Sequence, residues 1–135
     1  MNAISIRNET SIIRHVLLGS TNRTLCTAIQ ALELQAILFA RIEPLLASGD
    51  RIAGLVRFGY QAISDAVSDG RGHANEDDLL GVFDCLGSVV SGHRAAESLF
   101  SAIAMLGDAE VSKLARLGIN LSTSVLQDLG CGNAC

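Results

Sequence analysis

The sequence predicts an all-α protein, a small helical bundle, and three features of it carry that expectation. Apolar residues recur at helical spacing over most of the 135 residues. Gly-Asp breaks at Gly49-Asp50 and Gly107-Asp108 divide these runs in the manner of a helix stop followed by a helix cap. The surroundings of the two breaks also match. Leu38-Phe39 precedes the first and Leu55-Val56-Arg57-Phe58-Gly59 follows it, whereas Leu99-Phe100 and Leu114-Ala115-Arg116-Leu117-Gly118 flank the second. An αα-hairpin used twice would produce this echo, and an internal duplication is one origin for it.

Reading from the N-terminus, Asn8 suits the cap of a short helix over 9–18, with Ile12, Ile13, Val16 and Leu17 as its apolar face and Gly19 as its stop. A long helix over 22–47 follows. It is apolar around most of its circumference, with Gln30, Glu33 and Arg41 forming a narrow polar strip, which suits a bundle centre or a subunit interface. Pro44 should kink its last turn or end it early. A helix over 51–67 presents Ile52, Leu55, Val56, Gly59, Ile63, Ala66 and Val67 on one face. The glycine-rich stretch 69–74 reads as a linker between halves 20–68 and 75–129 of one domain. Asn75 and the acidic run Glu76-Asp77-Asp78 suit the start of a third main helix, which reaches Leu106 unless Gly92 breaks it. A fourth, over 109–129, carries the stripe Val111, Leu114, Gly118, Leu121 and Val125. The expected fold is thus a short N-terminal helix plus four main helices arranged as two αα-hairpins, with a disordered tail at 130–135.

Composition narrows the function. Apolar residues make up 49% and charged residues 18%, yet aromatic residues are only 4% and Trp is absent. Such a core is aliphatic and leaves little for an aromatic-lined pocket. A low share of charge also points to apolar surface covered by another subunit. The net charge of −4 and the scattered arginines argue against a nucleic-acid partner. Polar residues Gln30, Glu33 and Gln35 within the most apolar run, and Pro44 after it, argue against a transmembrane segment. No secretory n-region is present, so the expectation is cytoplasmic residence. Cys26 and Cys85 read as small buried hydrophobes, while Cys131 and Cys135 form a lone C-x3-C pair, a weak metal signal. Neither a metal nor a cofactor is expected.

Few residues carry chemistry. His93 and Glu97, four apart on the apolar stripe Leu79, Phe83, Leu86, Val90, His93, Glu97 and Phe100, could bind a metal or act as an acid–base couple. A half-exposed ion pair at the edge of the stripe, or a histidine capping a kink near Gly92, is the plainer role. The run His15-Val16-Leu17-Leu18-Gly19-Ser20-Thr21 resembles the phosphoacceptor loop H-x-L-K-G-S-S of histidine phosphotransfer domains, which are four-helix bundles. The likeness spans seven residues and departs where Leu18 replaces the lysine that would pair with phosphate. Nucleophile motifs and phosphate-binding glycine loops are absent. The expected function is therefore non-enzymatic: self-association as a homodimer or other homo-oligomer, and contact with another protein, through Leu34, Ile37, Leu38, Phe39, Phe58 and Phe83. A signalling, ligand-binding or metal-binding bundle using His15 or His93 and Glu97 is the alternative.

Overall fold

The structure, a computed structural model, describes residues 3–47, 49–71 and 79–130, with side chains throughout except at 3–11, 14, 15, 18 and 79. Among these residues the chain is entirely helical, without strands. Helix α1 spans Ala3–Ile42, followed by a 3-10 turn at Glu43–Leu45; α2 spans Arg51–Arg71, α3 Leu79–Leu106 and α4 Ala109–Asp128. Four helices, rather than a short one plus four, make the bundle.

The difference lies at Gly19. A glycine ends a helix when it adopts the left-handed conformation, and Gly19 is not among the residues with positive φ. It remains helical at a cost of about 1 kcal/mol relative to Ala. The polar residues after it fit too, because Thr24 Oγ1 donates to the Ser20 carbonyl and Thr27 Oγ1 to that of Arg23, both at 3.0 Å. At the other end of α1, Pro44 enforces the early stop. The helix ends at Ile42, Pro44 occupies the 3-10 turn, and Gly49 turns the chain at φ +79°. Asp50 Oδ1 then accepts from the Ile52 amide at 2.9 Å.

Helix α2 continues four residues past its expected end, so Asp69, Gly70 and Arg71 are helical rather than linker. Residues 72–78, which include the proposed cap Asn75 and its acidic run, lie outside the described residues, as do Cys131 and Cys135. Helix α3 passes Gly92 unbroken. Asp108 caps α4, with Oδ1 accepting from the Val111 amide at 2.9 Å.

Sequential neighbours pack antiparallel. Phe39 and Ile29 of α1 meet Gly59 and Gly70 of α2. Along α3 and α4, Ser112 Oγ donates to the Ala104 carbonyl, Phe100 covers Gly118 and Thr123 Oγ1 donates to Glu97. Helix α1 also packs on α4 and, across the bundle, on α3. At the centre the Phe39 and Phe100 rings stack with centroids 4.1 Å apart and planes 10° from parallel. Leu25, Leu32, Ile42, Val56, Ile63, Val82, Val89 and Ile103 complete an aliphatic core.

Two stripes are rotated relative to the sequence expectation. Helix α3 buries Val82, Cys85, Val89, Gly92, His93, Ala96, Phe100 and Ile103, leaving Phe83 exposed and Leu86, Val90 and Glu97 at the margin. Helix α4 buries Val111, Ala115, Gly118, Ser122 and Leu126, with Leu114, Leu121 and Val125 half-buried. Close approach is the cause. A Cβ on Gly92 would sit 2.6 Å from that of Ala66, and one on Gly118 would overlap the Phe100 ring. The contact line follows the small residues, and the bulkier ones flank it.

Candidate functional site

The segment Gly19–Leu45 is long and apolar enough to cross a membrane by length and composition. Here it supplies much of the core, and two of its polar residues have partners on other helices. Gln35, fully buried, donates through Nε2 to the equally buried Ser122 Oγ of α4. Glu33 forms an exposed ion pair with Arg71 of α2. An apolar-run reading treats Gln35 as an interruption; its tie to Ser122 depends on a residue 87 positions away, which no local pattern reveals.

His93 and Glu97 do not form a couple. The His93 ring is fully buried, and its Nε2–H donates to the Ala28 carbonyl of α1 at 2.9 Å. A carbonyl can only accept, so this bond assigns the proton to Nε2 and leaves Nδ1 as a bare acceptor. That atom has no partner, and neither does Gln35 Oε1. Burial disfavours the charged imidazolium and pushes the His93 pKa below its ordinary value, with the Ala28 bond acting in the opposite direction. Glu97 faces α4 and accepts from Thr123 Oγ1 at 3.1 Å. No group of three or more metal-ligating side chains occurs among the described residues. Open to solvent, the His93–Glu97 pair would be a catalytic candidate; as built, His93 ties α3 to α1. His15 belongs to the helical backbone of α1, but its side chain lies outside the described residues.

The remaining sequence candidates divide by exposure. Leu34, Ile37, Phe58 and Phe83 are about half or more exposed. Leu38 is half-buried against the core. Phe39 leaves the interface set, because it is fully buried under Gly59 and stacked on Phe100. Cys26 is exposed rather than buried, since it falls on the outer side of α1, whereas Cys85 is buried. Ile12, Ile13, Val16 and Leu17, which the sequence assigned to a separate short helix, lie exposed on α1. The grooves between helices are shallow; one between α1 and α4 is lined by Arg23, Thr27 and Asp128 among others.

Such a surface can bind by apolar burial. No protein-family model, curated protein or solved structure matches this chain.

Proposed function

We propose that this protein catalyses no reaction and acts as a small helical module that self-associates and contacts other proteins through exposed helix faces. The observation that carries this reading is the row of aliphatic side chains left in solvent on α1, namely Ile12, Ile13, Val16, Leu17, Leu34 and Ile37. Scattered exposed leucines are ordinary in a monomer, but a concentration of them on one helix marks a contact surface. The low share of charged residues, 18%, is consistent with it. Two polar side chains that could serve chemistry, His93 and Gln35, are instead buried and join helices of the bundle.

The bundle is read as two αα-hairpins, α1–α2 and α3–α4, derived from one ancestral unit. Phe39 over Gly59 and Phe100 over Gly118 are matching clasps, the two phenylalanines stack on each other, and Asp50 and Asp108 begin the second helix of each pair. Residence in the cytoplasm accompanies this reading. Light scattering on the purified chain tests the association: a mass above 14.2 kDa at tens of micromolar supports it, and a strict monomer removes it.

A further inference from the structure

We propose that His93 is an acid-sensitive latch: a proton delivered to its buried ring unseats the imidazole from the Ala28 carbonyl and opens the end of the bundle at which α3 begins and α4 stops. The latch is independent of the self-association reading, and either can fail without the other. Geometry places His93 where three helices meet. Its Nε2–H donates to the Ala28 carbonyl of α1 at 2.9 Å, and Glu97, one turn further along the same side of α3, reaches Thr123 of α4. The junction lies near one end of the bundle. Ala28 shares a groove with Val125, Asp128 and Leu129, where α4 stops, so solvent approaches from that side.

An imidazolium does not suit this seat. Protonation adds a hydrogen at Nδ1, which has no partner, while Nε2 keeps its hydrogen and its bond. The ring is fully buried, so the added charge is held away from water. No buried carboxylate offsets it. The buried residues of α2 and α4 include no ionisable side chain. Gln35 and Ser122, the other buried polar side chains among the described residues, are neutral and bonded to each other. The charged side chains that the neighbouring helices carry at this end are Arg23 and Glu33 on α1, Asp69 and Arg71 on α2, and Asp128 on α4. All are exposed or half-buried, and Glu33 is already paired with Arg71. On α3 itself Arg94 is exposed and Glu97 is turned to α4.

Burial lowers the His93 pKa below its ordinary 6.5, against the opposing bond to Ala28. An opened form, in which water solvates both ring nitrogens, takes up the proton more readily, so acid shifts the population toward it. The opening is local. Towards the other end, the stacked Phe39 and Phe100 rings sit over Gly59 and Gly118 and join the two hairpins without His93.

Two cysteines make the opening measurable. Cys85 is buried on α3 between His93 and the start of that helix, whereas Cys26 is exposed on α1. Dipyridyl disulfide modifies thiols in mild acid, and mass spectrometry of peptides from the labelled full chain gives the rate at each site. The ratio of the Cys85 rate to the Cys26 rate removes the pH dependence of the thiol chemistry common to both. The expected result is a ratio that rises about 5-fold between pH 7 and pH 5, never more steeply than about tenfold per pH unit, with helicity unchanged by circular dichroism. In His93→Gln, which keeps an amide donor for Ala28, and in His93→Met, which fills the site without a titrating group, the ratio should stay level. A level ratio in the native chain, or an equal rise in either folded variant, overturns the latch. Loss of helicity in step with labelling overturns it as well, because the bundle then unfolds as a unit.

Discussion

A methyl group placed on Gly118 would collide with the Phe100 ring, and one on Gly59 with Phe39. Because those two rings stack on each other at the bundle centre, neither can retreat without disturbing the other. Gly118→Ala should therefore cost about 1–3 kcal/mol, the range for overpacking a filled core. Gly87, with nothing within 4 Å, provides the opposite case. There Ala should stabilise by up to about 1 kcal/mol through helix propensity alone. Urea unfolding of the two variants tests the contrast, and equal shifts of the same sign would refute the clasp. His93 gives a second prediction at this scale. Burial holds its folded-state pKa below the ordinary 6.5, so the unfolded chain takes up the proton first. Its contribution to stability is then complete above about pH 6.5. It falls as pH drops below that value, by at most about 1.4 kcal/mol per pH unit, until the folded-state pKa is passed. Subtracting the stability profile of His93→Gln from that of the native chain isolates this slope from His15 and His73. A flat difference between pH 5 and 7 would contradict the buried neutral imidazole.

Helix termini carry their own energetics, and only some of them were legible in the sequence. Asp108 was readable as a cap because Gly107 precedes it and an apolar period follows; its Oδ1 indeed holds the Val111 amide. Asp108→Ala should cost about 1 kcal/mol, while Asp108→Asn, which retains the accepting oxygen, should recover most of it. Thermal unfolding of both variants separates the cap from any role of the charge itself. Gly19 shows why the same reasoning misplaced a boundary. Glycine permits a stop without imposing one, and the stop requires a left-handed turn that Gly49 makes and Gly19 does not. Proline is less ambiguous, and Pro44 ended α1 as its missing amide and fixed ring demand. The faces of α3 and α4 were legible only to within about one residue. Periodicity weights the largest side chains, whereas Gly92, Ala96, Ala115 and Gly118 mark where helices approach most closely. The couplings Gln35–Ser122 and His93–Ala28 were beyond reach, because each joins residues on different helices.

At the scale of the whole molecule the question is what the most apolar stretch of α1 faces. Gly19–Leu45 meets the length and composition of a membrane span. In the bundle the same stretch places Leu25, Leu32, Phe39 and Ile42 entirely out of solvent. Removing α1 to cross a bilayer would uncover Val56, Ile63, Val89 and Ile103 on the other helices, and would strand Ser122 without Gln35 and His93 without the Ala28 carbonyl. Each buried polar group left unpaired costs about 1–3 kcal/mol, and lipid offers no hydrogen-bonding partner in return. The bundle therefore gives α1 polar contacts, through Gln35 and the Ala28 carbonyl, that the core of a bilayer does not offer. The expected outcome is that the chain, prepared without detergent, unfolds cooperatively with heat and that Leu32→Asp, at a fully buried position, abolishes that transition. A chain that stays helical and unchanged after Leu32→Asp, or that requires detergent to remain in solution, would place α1 outside the bundle.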